Sequence, residues 1–280
     1  MSEYYGRPTC IISNATLELE CLITAGPRIV GLRYIGSANL LAEVPSIAVS
    51  TTYGDFHYMG GHRLWHAPEN MPRTYIPDDD GCTFTQLSDG ALLEGKREEG
   101  SGICKSIEIH LEHEAPRVRL LHTLMNENQW EVKLAPWAIT MFRLGGRVLI
   151  PTRAEKVDLD GLLPDRHLTL WPYAHINDDR LKLQNDLIQI NAQPGGSFKV
   201  GTFNPRGWMS YQIDGILFKK SFDVRSGQEH VDLGCNAECY CDQDFVELES
   251  LAPLSVLPAG EKVQWVETWE LSRVGDLVRP

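Results

Sequence analysis

The stretch ICKSIEIHLEHEAPRVRLLHTLMN, residues 103–126, decides the fold. In an extended chain Ile107, Ile109 and Leu111 fall on one side, and Glu108, His110 and Glu112 on the other. A period of two is the mark of a half-buried strand. A second alternating run follows Glu114–Ala115–Pro116, so the stretch predicts two strands joined by a turn.

The same pattern extends in both directions. TCIISNATLELECLIT reads as two strands around Asn14–Ala15, and RIVGLRYIG as another. YQIDGILFKKSF predicts a hairpin turning at Asp214–Gly215, because Asp-Gly accepts the positive φ values of a tight turn. DFVELESLAP and VQWVETWEL alternate again near the end. No window of a dozen residues keeps a helical i, i+3, i+4, i+7 stripe. The 24 Gly and 16 Pro punctuate the chain throughout, with no composition break. The expected architecture is all-β, one large antiparallel sandwich spanning 1–280 as a single domain.

Composition narrows the function. A formal charge of −12 and the lack of any basic run argue against nucleic acid as a partner. No apolar run approaches the roughly 18 residues that suggest a membrane span. The start, MSEYYGRPTC, lacks the charged and apolar regions of a secretory signal. Seven Cys is an odd count, and without such a signal it predicts reduced thiols in a cytoplasmic protein. Cys235, Cys239 and Cys241 lie close together, but no CxxC pair supports a zinc site. No metal and no cofactor are expected, since no Walker loop, no GxGxxG after a strand, no GxSxG and no HExxH occur.

The irregular part of the pattern is 51–80, TTYGDFHYMGGHRLWHAPENMPRTYIPDDD. It reads as a long ordered loop, and such loops in compact domains usually carry function. Within it, His62 and His66 have the spacing of a zinc-binding helix. Gly60–Gly61 before them and Pro68 after them leave hardly two turns for a helix. In an extended segment His62 and His66 still share one side, with Arg63 and Trp65 on the other. Aromatic rings beside polar groups suit a sugar, whose flat apolar faces stack while its hydroxyls take donors and acceptors. Trp65, Trp130, Trp137, Trp171 and Trp208 stand in loop-like settings. LWPYAHINDDR, residues 170–180, crowds Trp171, His175 and an Asp–Arg pair behind a strand. Glu247 and Glu249 share one side of FVELES; on an enclosed face their repulsion would raise one pKa and make an acid or base. Lys199 and Arg206 are further polar candidates, read most simply as surface residues.

Three segments together resemble the galactose mutarotase-like superfamily: GGHRLWHAPE, LHTLMNENQWEVKLAPWAIT and FVELESLAPLSVLPAGEKVQWVETWEL. The resemblance spans nearly the whole chain in order and spacing. It implies a β-supersandwich and a relative of aldose 1-epimerases and hexose-6-phosphate mutarotases, acting on a small-molecule carbohydrate. It implies a late-strand Glu as general base, which falls on Glu249 or Glu247. It implies sugar contacts from the Gly-Gly segment, here His62, Arg63 and His66, and a general-acid His on a central strand. That strand reads APWAIT here, with Trp137 near the expected place. The acid would then come from His66 or His175, or the cleft binds sugar without turning it over.

Overall fold

The computed structural model describes residues 2–153 and 160–274. In chain order the strands are β1 Ser2–Tyr4, β2 Arg7–Ser13, β3 Leu17–Leu22, β4 Arg28–Tyr34, β5 Glu43–Thr51, β6 Gly54–Ala67, β7 Thr83–Gln86 and β8 Gly90–Glu94. Then come β9 Ile103–Leu111, β10 Arg117–Asn126, β11 Val132–Arg143, β12 Arg147–Pro151, β13 Thr169–Leu170, β14 Leu181–Leu183, β15 Leu187–Asn191 and β16 Phe198–Thr202. The last are β17 Trp208–Ile213, β18 Ile216–Phe222, β19 Ala237–Cys241, β20 Phe245–Leu251, β21 Ser255–Leu257 and β22 Lys262–Arg273. Among the described residues the only helical element is a single 3₁₀ turn, Arg73–Tyr75. None is long and apolar enough to cross a membrane.

Every strand pairing is antiparallel, and the strands form two large sheets. The first runs β1-β2-β3-β4-β6-β11-β20-β19-β16-β13, with β5 on β6 and β21 on β11. The second runs β14-β15-β12-β17-β18-β22-β10-β9-β8-β7. The stretch 103–126 supplies β9 and β10, paired from Val118 opposite Leu111 to Asn126 opposite Ile103. The hairpin at Asp214–Gly215 is present, with both residues at positive φ (49° and 73°).

The sandwich interior takes one side of each central strand. Leu64 of β6, Ala138 and Phe142 of β11, and Val246 and Leu248 of β20 join Ile107, Ile109, Leu120 and Trp265 of the second sheet in one core. Burying these side chains drives the two sheets together. The opposite side of β6, β11 and β20 is also buried: Trp65, Ala67, Ala135, Trp137, Ile139 and Leu251 pack with Phe56 and Tyr75 in a second cluster. That second buried face builds the site.

The structure corrects the reading of 51–80 as a loop. Residues 54–67 form one 14-residue strand, β6, at the heart of the first sheet. Its polar and aromatic composition disguises it, because both faces are buried and neither is uniformly apolar. Gly60 and Gly61 do not end it. They carry positive φ (98° and 71°), and a Cβ there would meet Ala42 O and Ile29 O at 2.0 Å in each case. Glycine is therefore required where Ala42, just before β5, and Ile29 of β4 press against β6. Trp65 and Trp137 likewise sit on strands rather than loops, and Trp208 opens β17.

Candidate functional site

On the outer face of the first sheet, register sets out a grid. Ile139 stands opposite Arg63 on one side and Glu249 on the other. Glu249 stands opposite Glu238, and Glu247 opposite Tyr240. Tyr240 stands opposite Lys199. Five strands thus bring Arg63, Trp137, Glu247, Glu249, Glu238 and Lys199 to one surface, although they span 187 positions from first to last (63 to 249, both counted). A cavity of about 480 Å³ opens above them, walled by Tyr58, Trp65, Tyr75, Trp137, Trp171, Tyr173 and Tyr240.

Two ion-pair systems form the floor. Arg63 Nη2 donates to Glu247 Oε1 at 2.8 Å, and the guanidinium lies 4.2 Å from the Trp65 ring centroid and 5.3 Å from that of Tyr58. Lys199 Nζ lies 2.8 Å from Glu238 Oε2 and 2.9 Å from Glu249 Oε2. Its ammonium also sits 4.7 Å from the Trp137 ring and 4.6 Å from Trp171. Trp137 Nε1 donates to the same Glu249 oxygen at 2.7 Å. Arg63 Nε and Nη1, Trp65 Nε1, Glu238 Oε1 and Glu249 Oε1 are buried without a hydrogen-bond partner. Unspent buried donors and acceptors are costly unless something meets them.

Three buried carboxyls share two cations, so their proton affinities separate. Burial pushes Glu238 well above the ordinary carboxylate range; Lys199 opposes this and the charge on Glu249 adds to it. Glu247 rises to about 7, chiefly through burial, with Arg63 pulling down and Glu249 pushing up. Burial disfavours the charge on Lys199, yet Glu238 and Glu249 hold its ammonium well above the usual lysine value. Lys199 is accordingly a fixed cation and a poor proton donor. Glu247 is the cavity-lining group that exchanges protons near neutrality.

The candidates from the sequence divide cleanly. Arg63, Trp65, Trp137, Trp171, Lys199 and Glu247 line the cavity. Glu249 lies directly beneath it, fully buried, its Oε2 held by Trp137 and Lys199. His62 and His66 do share a side of their strand, but that side faces the sandwich interior. His62 Nε2 is 2.7 Å from His122 Nε2, and His62 Nδ1 is 2.9 Å from Thr140 Oγ1. His66 Nε2 is 3.0 Å from Glu98 Oε2, a carboxylate that Lys105 also grips at 2.6 Å. His175 is exposed and faces a separate groove with Asp178, Asp179 and Arg180. Arg206 is outside the cavity wall.

Composition alone did not single out Glu238 and the tyrosines of the wall. CNAECYC drew attention for its thiols. Its alternation sends Cys239 and Cys241 inward to the core and Glu238 and Tyr240 outward to the site. Cys235, Cys239 and Cys241 are free thiols.

Among the described residues one group has metal-ligating atoms close together: His62, His122 and Glu267, within 4.8 Å of one another in the interior. Their donors are already spent. Lys220 Nζ lies 2.7 Å from Glu267 Oε1, Trp269 Nε1 donates to Glu267 Oε2 at 2.9 Å, and His122 Nδ1 meets Trp265 O at 3.1 Å. A cation would have to displace the ammonium of Lys220, so the set does not fit a metal.

No family model matches the chain, and no curated protein matches it. Solved structures do match. A candidate aldose 1-epimerase from Escherichia coli K12 aligns at 12% identity, covering 96% of this chain and 100% of its own, with a TM-score of 0.56. A galactose mutarotase-like protein from Lactobacillus casei aligns at 10% identity over 95% of this chain and 100% of its own, TM-score 0.56. A TPR-domain containing protein from Parabacteroides distasonis aligns at 11% identity over 98% of this chain, TM-score 0.64; the chain spans about half of that protein, 49%. The chain has the galactose mutarotase-like β-supersandwich fold.

Proposed function

We propose that the cavity on the outer face of the first sheet binds a carbohydrate. The observation that carries this is the combination of wall and floor. Seven Trp and Tyr rings surround a floor where Arg63 Nε and Nη1 and Trp65 Nε1 have no internal partner and the Glu247 carboxylate faces the cavity. Rings take the apolar faces of a sugar, and paired donors and acceptors take its hydroxyls. The candidate aldose 1-epimerase and the galactose mutarotase-like protein share the fold, and both are named for chemistry on sugars, in keeping with this reading. Calorimetric titration with a panel of aldoses and disaccharides tests it: saturable heat with at least one sugar supports it, and none with any sugar overturns it.

A second reading, interconversion of anomers, is favoured by one group. Glu247 lines the cavity, titrates near 7, and stands 2.8 Å from Arg63. As a base it would take the anomeric proton while Arg63 hydrogen-bonds the developing oxyanion. No His lines the cavity to supply the acid, so Glu247 would have to return the proton itself or through water. Binding without fast turnover is therefore the first reading. Exchange spectroscopy between sugar anomers separates the two: acceleration over buffer that vanishes in Glu247→Gln supports turnover, and equal rates with and without protein exclude it.

A further inference from the structure

Among the seven thiols, two stand face to face. Cys10 of β2 and Cys21 of β3 are register partners, between Thr9–Leu22 and Ile11–Glu20. Asn14 N donates to Leu17 O, and Ile23 N donates to Pro8 O. Both are partner pairs of the same ladder, and hydrogen-bonded pairs alternate along it. Counting by twos from either end makes Cys10–Cys21 a hydrogen-bonded pair, where Cα atoms stand about 5.5 Å apart. That spacing lies within the Cα range of disulfide-linked residues, and closing the bridge draws the Cβ atoms in from about 5.5 Å to about 4 Å. Cross-strand partners also project from the same side of a sheet. Cys10 is partly exposed, whereas Cys21 is fully buried.

We propose that Cys10 and Cys21 are a site of reversible oxidation, closing a cross-strand disulfide that staples β2 to β3 near the edge of the first sheet. The oxidant is a small disulfide such as oxidised glutathione. The Cys10 thiolate attacks one of its sulfurs, forming a mixed disulfide and releasing one glutathione thiolate. The Cys21 sulfur then attacks Cys10 Sγ, its proton passing to the departing sulfur, so that the second glutathione leaves as a thiol. Two protein thiols are oxidised and one small disulfide is reduced to two thiols. The order follows from access. Of the two, only Cys10 meets solvent, and burial raises the Cys21 thiol far above its ordinary value. Cys82 is the competing partner, being buried and close enough to bear on the Cys21 charge, but its segment is not strand-paired with β3.

The test is to incubate the full-length native protein with oxidised glutathione, block remaining thiols under unfolding conditions, digest, and map linked peptides by tandem mass spectrometry. The expected result is a Cys10–Cys21 linked peptide that dithiothreitol removes. The unsubstituted protein should also gain in thermal midpoint on oxidation; in Cys10→Ser, Cys21 should stay reduced and that gain should be absent. Recovery of Cys10 only as its glutathione adduct, with Cys21 alkylated, would overturn the proposal. So would a Cys21–Cys82 link, or a digest with Cys10 and Cys21 both unlinked.

Discussion

The Trp137 indole N–H donates to Glu249 Oε2 at 2.7 Å, and Lys199 Nζ reaches that same oxygen at 2.9 Å. Of the two carboxylates that the family resemblance offers as a base, Glu249 is therefore the one held from two sides at the bottom of the site. Its neighbour two residues earlier, Glu247, faces the cavity and carries the near-neutral proton. Glu249 holds the floor together, and Glu247 is the carboxyl placed to meet the proposed ligand.

This division predicts opposite outcomes for two substitutions. Glu249→Ala removes one of two carboxylates around a buried ammonium and leaves Trp137 Nε1 without an acceptor. Breaking a buried pair in this way costs about 3 kcal/mol or more. Denaturant melts should show that loss. Glu247→Gln keeps an acceptor for Arg63 and should cost less than half as much, while altering sugar binding in the titration.

The carboxyl of Glu247 also predicts a pH dependence. The unfolded chain gives up this proton near the ordinary carboxylate value, and the folded protein keeps it to about 7. Stability from this group is therefore highest in acid and falls as pH rises through that window. Glu247→Gln lacks the effect. Its stability relative to the unsubstituted protein should climb between about pH 4.5 and 7, then level off. A constant difference across that range would contradict the assignment.

In the interior the sign reverses. Burial, then the Lys220 ammonium, keep His122 from protonating until about pH 4, with Glu267 opposing them. Burial and the charges of His122, Lys220 and Arg63 depress His62 as well. The unfolded chain protonates both near 6.5, so stability is lost as pH falls from about 6.5 to 4. Replacing His122 by Gln should flatten acid unfolding over that window, as read by circular dichroism. An unchanged acid midpoint would show that the pair does not govern it.

Two of the histidines named from the sequence, His175 and His66, give a further contrast. His175 lies in a separate groove, so His175→Ala should leave sugar binding within twofold of the unsubstituted value. His66 is buried against Glu98, so His66→Ala should lower the melting temperature by several degrees through loss of packing and of that pair. Loss of binding in His175→Ala would move the site to the groove that His175 lines.

The fold was legible because alternation is a local signal. Ile107, Ile109 and Leu111 against Glu108, His110 and Glu112 state a strand without reference to anything distant. The site was legible only in part. Alternation divided HRLWH correctly into His62, Leu64, His66 and Arg63, Trp65, but it could not say which side faces the second sheet. Both sides of β6 are buried, and each mixes polar with apolar groups, so hydrophobicity does not rank them. The identity of the inner side follows from Leu64 packing in the main core and His62 meeting His122, facts of tertiary register. Glu238 became visible only through its pairing opposite Glu249, since nothing in its own neighbourhood distinguishes it from a surface carboxylate. The same two-sided burial hid β6 as a loop.

The central claim is that the aromatic cavity binds carbohydrate, and Trp171 tests it most directly. This ring is only partly buried, lines the cavity, lies 4.6 Å from the Lys199 ammonium, and sits outside the strands, so its loss should spare the fold. The measurement is calorimetric titration of one responsive sugar into the unsubstituted protein and Trp171→Ala. Stacking on such a ring contributes about 1 kcal/mol, so the account predicts saturable binding that weakens roughly fivefold or more in the variant. Binding of equal strength in both proteins would place the carbohydrate elsewhere, and no saturable heat with any sugar would contradict the claim outright.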